Sequence, residues 1–345
     1  MAETLTAPTP DVQDFDRLDQ LMARGTVFLG TRYAILGGAM TWVSERNLVS
    51  AISNAGGFGV IACGSMTPDL LTSEIAATQA MTTKPFGVNL ITMHPNLEDL
   101  IDICIDAKVG HIVLAGGVPS AQSIARVKDG GAKLICFAPA LAFAKKLVRS
   151  GVDALVIEGA EAGGHVGPVS TAVLAQEILP HIDQVPVFVA GGIGRGEAMA
   201  SYLLMGASGV QLGTRFVCAH ECQAHPAFKK AFRRAPARDA VTSVQLDSRF
   251  PVIPVRALKN AATEAFNTCQ REVIEAFTKG ELSQSEAQLQ IEHFWAGALR
   301  RAVVDGDIEN GSVMAGQSVG MVKSEQSTEE IIAELIDDAA RFLAG

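Results

Sequence analysis

The chain has 345 residues, 48% of them hydrophobic and 19% charged, with 33 glycines; this is enough for one large domain or two ordinary ones around a sizeable core, and it excludes a disordered chain. Lys and Arg number 28 against 37 Asp and Glu, a formal charge of −9, so the sequence-independent attraction to phosphate backbones is missing and no nucleic acid partner is expected. The longest uncharged stretches, 47–68 and 198–214, are interrupted by Gly, Ser, Asn or Gln, and no membrane span is expected.

The first segment, MAETLTAPTPDVQDFDRLDQ, is acidic and polar and lacks the basic and apolar regions of a secretory signal. Residues 1–28 read as a loose N-terminal arm. From 33 to 216 one unit recurs: a short β-branched or apolar run, a Gly-rich or polar turn, then a helix-length amphipathic stretch. The strand candidates are YAILGGA (33–39), FGVIA (58–62), FGVNLI (86–91), HIVLAG (111–116), KLICF (133–137), ALVIEG (154–159), VPVFVA (185–190) and GVQLG (209–213). Helix-sized segments at 44–55, 68–80, 96–107, 120–129, 140–150, 170–179 and 194–205 lie between them. Eight such alternations predict an α/β fold, a closed (β/α)8 TIM barrel over 29–235. Runs such as VIACG and VPVFVA are apolar at successive positions, as expected of strands covered on both faces. Beyond 216 the sequence turns charged and helical. It predicts a helical lid over 236–300 and a segment, 301–345, that returns to the barrel through a last helix over 328–343. The six cysteines are scattered, with no CxxC, which suits reduced thiols in a cytoplasm.

In such barrels the chemistry sits where strands end, and phosphate is commonly held by the loops after the seventh and eighth strands. Here those loops are AGGIGRG (190–196) and QLGTRF (211–216). Gly191 and Gly192 let backbone N–H groups approach a phosphate, a helix starting near Gly194 adds its positive end, and Gly213 and Thr214 add a second N–H cluster and a hydroxyl. Alone, a Gly-Gly turn is a weak signal; the pairing of two such loops one repeat apart strengthens it. The glycines of GGFGVI (56–61) precede a strand, whereas a dinucleotide fingerprint follows one, so that match carries no weight. After the sixth strand, EGAEAGGHVG (158–167) places Gly163 and Gly164 beside His165, whose imidazole can donate or accept a proton near neutrality. His165 is the catalytic candidate. Asn89, at the end of the third strand, offers an amide able to bond a heterocycle edge as donor and acceptor, or else to satisfy its own turn.

CAHECQAH (218–225) holds the residue types of a zinc cluster in Cys218, His220, Cys222 and His225, but on one helix the four cannot converge on one ion, and no metal site is expected. Nucleophile elbow, Walker A loop and HExxH are all missing from the sequence, which leaves hydrolase and phosphotransferase readings without residues.

With GGAMTWVS (37–44), NAGGFGVI (54–61), KPFGVN (84–89), EGAEAGGHVG, VAGGIGRGEA (189–198) and QLGTRFV (211–217) in order, the chain resembles the superfamily of nitronate monooxygenases and type II flavin-dependent enoyl-acyl carrier protein reductases, over roughly 35–322. VRALKN (255–260) and GALRRAVVDGDIENGSVMAGQ (297–317) look most like the enoyl reductase branch. The resemblance implies a barrel with a helical lid, FMN as cofactor, NADH or NADPH as reductant, and an enoyl thioester on acyl carrier protein or coenzyme A as substrate, as in fatty acid biosynthesis. It also implies a homodimer. By motif, the FMN contacts are Met40, Thr41, Asn89, Glu158, Gly163, Gly191, Gly192, Gln211, Leu212, Gly213 and Thr214, and His165 takes the place of the catalytic histidine. The alternative within the superfamily is a nitronate monooxygenase that oxidises alkyl nitronates with O2. Two departures bear on the substrate: Ala39-Met40-Thr41 stands where members usually show Gly-Met-Ala before the Trp, and Ala138-Pro139-Ala140 where enoyl reductases tend to read Val-Pro-Ser.

Overall fold

A computed structural model describes residues 12–345. Part of the expected arm, 1–11, lies outside the described residues; the remainder is not loose. It forms α1 (Val12–Leu29), in which Leu18, Met22 and Leu29 are fully buried along one helical face. Aspartates 14, 16 and 19 stand between and around these positions, so composition conceals the stripe. Arg17 Nη1 donates to the Leu343 carbonyl at 3.0 Å, which ties the helix to the far end of the chain.

The barrel then runs through β1 (Ile35–Gly37), α2 (Arg46–Asn54), β2 (Gly59–Ala62), α3 (Pro68–Met81), β3 (Phe86–Ile91), α4 (Leu97–Asp106), β4 (His111–Ala115), α5 (Ala121–Asp129), β5 (Lys133–Phe137), α6 (Leu141–Arg149) and β6 (Ala154–Glu158). A two-residue strand, β7 (Gly164–His165), precedes α7 (Thr171–Ile178), β8 (Val187–Ala190), α8 (Gly196–Leu204) and β9 (Gly209–Leu212). Local chemistry starts the helices: the Thr67 side chain accepts from Leu70 N with Pro68 in the first turn, and Ser120 accepts from Ser123 N.

Eight strands pair in parallel in the order β1-β9-β8-β6-β5-β4-β3-β2. Leu36 bridges Phe58 in parallel, with Phe58 N donating to Ile35 O at 2.8 Å and Gly37 N to Phe58 O at 2.9 Å. Those bonds close the sheet into the expected (β/α)8 barrel. Its base is plugged by rings: His111 stands edge-on to Phe28 and Phe58, with centroids 5.2 and 4.9 Å away, and Phe28 lies 6.3 Å from Phe188. Phe28 comes from α1, the others from separate staves, so these side chains meet on the barrel axis.

After α9 (Pro226–Arg234) the chain does not go straight into helices. It first makes β10 (Ala240–Thr242) and β11 (Val255–Leu258), which join β7 in an antiparallel sheet ordered β10-β11-β7. Only then follow α10 (Ala261–Thr278) and α11 (Gln284–Val303), capped by Asn260 and Ser283 capping boxes. The helices enclose a second core that includes Phe250, Val255, Phe266, Ile291 and Trp295. The lid is thus a hairpin followed by two helices, and α11 runs through residue 300 without a break. A final helix, α12 (Thr328–Ala344), packs on α8, α1 and α2.

Candidate active site

Three polar side chains meet at the C-terminal mouth of the barrel. A Cβ at Gly87 would lie 3.0 Å from the Phe58 ring, so Gly87 faces the axis and Asn89, two residues on, faces it too. Phe188 faces the axis by its contact with Phe28, so Ala190 does as well, and Ala190 stands in register with Glu158 on one side and Gln211 on the other. Asn89 is 5% exposed and Gln211 9%. Among the described residues none of these three side chains has a hydrogen-bond partner. Their polar atoms stay open toward the mouth, where a ligand edge that donates and accepts could meet them. Burial alone, with no charged neighbour, pushes the Glu158 carboxyl up to about 8, so at neutral pH it is an uncharged acid able to donate.

The two glycine loops also come together. Ala190 and Gln211 are paired, so the turns that follow leave adjacent strands. Gly191 and Gly192 take φ of 97° and 72°, the left-handed region that favours glycine. Among the described residues the backbone N–H groups of Gly191, Gly192, Gly213 and Thr214 meet no acceptor. Two sets of free donors beside the start of α8, which begins at Gly196, two residues past the expected 194, suit an anionic group. The Thr214 hydroxyl accepts the Gly316 N–H at 2.9 Å and keeps its own proton to donate. Leu212 contributes its carbonyl, which accepts from Gly38 N at 2.8 Å.

The first turn is stapled by Ser44, whose Oγ accepts from Met40 N at 3.0 Å and donates to Gly38 O at 2.8 Å. A Cβ on Gly213 would meet Met40 Sδ at 3.3 Å, so Met40 reaches the turn after β9 at the mouth. Thr41 Oγ1 lies 3.0 Å from where a Gly64 Cβ would stand, on the other flank. Trp42, 38% exposed, takes a φ of 67° and has the Arg300 guanidinium of α11 5.9 Å from its ring centroid.

His165 is exposed and is set by register: it pairs with Val255 of β11, and Val166 N donates to Pro254 O at 2.9 Å. Gly163, singled out beside His165, is hemmed in by backbone. A Cβ there would stand 2.6 Å from Gly316 N and 2.7 Å from the Ala315 carbonyl carbon, so Gly163 is small because the C-terminal segment crosses it. Sequence reasoning had that segment return to the barrel without placing it against Gly163, and it missed Glu161, Thr171 and Arg256. Arg256 Nε donates to Ala160 O at 2.9 Å, linking the lid sheet to the His165 turn. Only the quoted VRALKN motif hinted at it.

A barrel whose mouth offers an anion cradle, an unpaired polar rim and an exposed imidazole belongs to the cofactor-dependent oxidoreductases of this fold. The family model described as nitronate monooxygenase matches residues 23–110 and 99–338; the chain belongs to that family and is an FMN-dependent oxidoreductase. It is 31% identical, over 92% of this chain and 96% of the other, to the (3aS,4S,5R,7aS)-5-hydroxy-7a-methyl-1-oxo-octahydro-1H-indene-4-carboxyl-CoA dehydrogenase of Mycobacterium tuberculosis. A probable nitronate monooxygenase of Staphylococcus saprophyticus is 27% identical over 82% of this chain and 94% of its own. Among solved structures, FabK from Thermotoga maritima superposes with a TM-score of 0.82 at 35% identity, covering 92% of this chain and 95% of that one.

Proposed function

We propose that this enzyme exchanges hydrogen across the α,β carbon pair of an acyl thioester, working with NADH or NADPH as an enoyl thioester reductase. The carrying observation is the setting of His165: an exposed imidazole, fixed to the lid by the pairing with Val255, beside a mouth whose Asn89, Gln211 and Glu158 side chains are left for a ligand. In this reading Asn89, Gln211 and Glu158 hold the flavin heterocycle, the first turn around Met40 and Thr41 covers it, and the N–H groups of Gly191, Gly192, Gly213 and Thr214 with the Leu212 segment hold its phosphate. Gly163 contributes by letting the C-terminal segment close over the His165 turn.

FMN, when bound, supplies hydride exchange between a nicotinamide and the β-carbon of the thioester. His165 handles the proton: it hydrogen-bonds the developing enolate oxygen and delivers a proton toward the α-carbon, so that hydride plus proton complete a two-electron reduction. An uncharged Glu158 keeps negative charge away from the place where the enolate forms. Run backwards, the same residues remove hydrogen from a saturated thioester, which is the relation between the enoyl reductases that the sequence resembles and a relative named as a carboxyl-CoA dehydrogenase. The setting that goes with this reading is a cytoplasmic homodimer, to be checked by sedimentation.

The test is anaerobic mixing followed by visible absorbance. NADH or NADPH is expected to bleach the flavin band, a trans-2-enoyl thioester to restore it, and His165→Ala to lower turnover by about 10²–10³ with flavin content unchanged. Full turnover in that variant would remove His165 from the mechanism. The family's name supplies the competing reading: a band bleached by an alkyl nitronate and untouched by either nicotinamide would make this chain a monooxygenase.

A further inference from the structure

A buried threonine and a half-buried glutamate pair between the two halves of the site. Thr171, 1% exposed, opens α7, and its hydroxyl lies within reach of three acceptors: Glu161 Oε2 at 2.9 Å, Gly191 O at 3.0 Å and Ala190 O at 3.3 Å. A hydroxyl has one proton, so the three compete for it. Glu161 Oε2 also accepts Thr171 N–H at 2.9 Å, which anchors the carboxylate whichever way the hydroxyl turns. Glu161 belongs to the turn that carries His165; Gly191 opens the glycine turn after β8. The hydroxyl is therefore shared between those two turns.

The fit around the pair is tight. A Cβ on Gly159 would stand 2.0 Å from Thr171 Oγ1, one on Gly191 2.8 Å from it, and one on Gly192 3.0 Å from Glu161 Cβ. In a close-packed interior of this kind a shift of tenths of an ångström on one side is felt on the other. The other end of the His165 turn is pinned too, since the Glu161 carbonyl accepts from Gln317 N at 2.9 Å and Arg256 holds the Ala160 carbonyl. A trans peptide sets its C=O and N–H in opposite directions. When Thr171 draws the Gly191 carbonyl inward, the Gly192 N–H is turned away from it.

We propose that Thr171 and Glu161 are positioning residues that couple the His165 turn to the 191–192 turn, Thr171 by aiming the Gly192 N–H and Glu161 by keeping Thr171 in place. This rests on reading the 191–192 turn as the phosphate site. A group bound there steadies the Gly191 peptide, which takes the shared proton; Glu161 and the turn that presents His165 are then held through the Thr171 N–H.

Binding of FMN and of riboflavin, followed by quenching of flavin fluorescence, separates the two ideas. The wild-type protein should favour FMN by a wide margin; equal affinity for the two would overturn the phosphate reading and the coupling with it. Given that preference, Thr171→Val is expected to reduce it about tenfold, the scale of one lost hydrogen bond, and to lower kcat while KM for the thioester stays within about twofold. Thr171→Ser should restore both. Glu161→Gln keeps an acceptor for the Thr171 N–H and gives a second route if the valine variant does not fold: a smaller fall in the same preference is expected. Wild-type preference and kcat in either Thr171→Val or Glu161→Gln would sink the coupling and leave the phosphate reading standing.

Discussion

The two ends of the barrel solve opposite problems with similar material. At the base, α1 closes the cylinder: Phe28, Phe58, Phe188 and His111 fill the axis, and His111 Nε2 meets the Phe28 carbonyl at 3.0 Å. At the mouth, Asn89, Gln211 and Glu158 are carried by other staves of the same sheet, β3, β9 and β6, and find no partner among the described residues. The base is filled by the chain's own rings, although His111 Nδ1 has no hydrogen-bond partner there; the mouth leaves three polar side chains for something else to meet. Surface cavities alone mislead here, because clefts of about 330 and 540 Å³ lie at the base, lined by residues such as Arg32, Lys84 and Lys108, away from Asn89, Gln211 and Glu158.

The contrast breaks if the ends respond alike to truncation. Phe58, fully buried, should lose about 3–5 kcal/mol on Phe58→Ala, read by denaturant unfolding, while the surviving folded fraction binds FMN with unchanged affinity. At the mouth the order reverses: Asn89→Leu should leave the flavin-free protein as stable or more so, since an unpaired amide is removed, and should weaken FMN binding about tenfold. A weaker fold without weaker binding in the Asn89 variant would mean that the amide is structural.

The ends should also answer pH with opposite slopes. Burial, with Lys133 adding to it, drops His111 from 6.5 to about 4. The unfolded chain therefore binds more protons between these values, and stability falls as pH drops through that window, by up to about 3 kcal/mol. Glu158 is raised from 4.5 to about 8, so the folded state holds the extra proton and stability falls as pH rises from 4.5 toward 8. Unfolding free energies of flavin-free protein across pH 4–8 should flatten at the acid side in His111→Phe and at the alkaline side in Glu158→Gln. Parallel changes in both variants would refute the assignment of one group to each end.

How much of this was legible in the sequence follows from where each feature gets its stability. All eight staves were readable because each is a short run buried on both faces, and the glycine turns because left-handed backbone selects Gly191 and Gly192. The stripe of α1 was hidden by acidic neighbours. β7 is two residues long and exists only through its pairing with β11, and β11 in turn is set by the second core around Val255 and Phe266, so no local signal announces either. The pairing of Glu161 with Thr171 needs a close approach that three glycines permit, a condition that appears only once the turns are assembled. His165, Asn89 and the two glycine turns were singled out from position at strand ends; what surrounds them was not.

The smallest expected difference uses backbone strain. Two described residues other than glycine hold a positive φ, Lys108 at 57° and Trp42 at 67°. Lys108 follows α4 just past its C-cap residue, Ala107, near the base, where left-handed backbone is an ordinary helix ending that glycine serves best. Lys108→Gly should therefore stabilise by about 0.5–1 kcal/mol, visible as a higher Tm, with kcat unchanged. Trp42 sits in the turn that carries Met40 and Thr41, with Arg300 of the lid over its ring. There the same relief of strain is offset by a lost cation–π contact worth about 0.5–1 kcal/mol at an exposed site, so Trp42→Gly should leave Tm nearly still while KM for the thioester rises, because the lid loses a contact with the rim. If Trp42→Gly instead raised Tm as Lys108→Gly does and spared KM, strain at the mouth would be an accident of the turn, and the functional difference between the two ends would rest on the unpaired side chains alone.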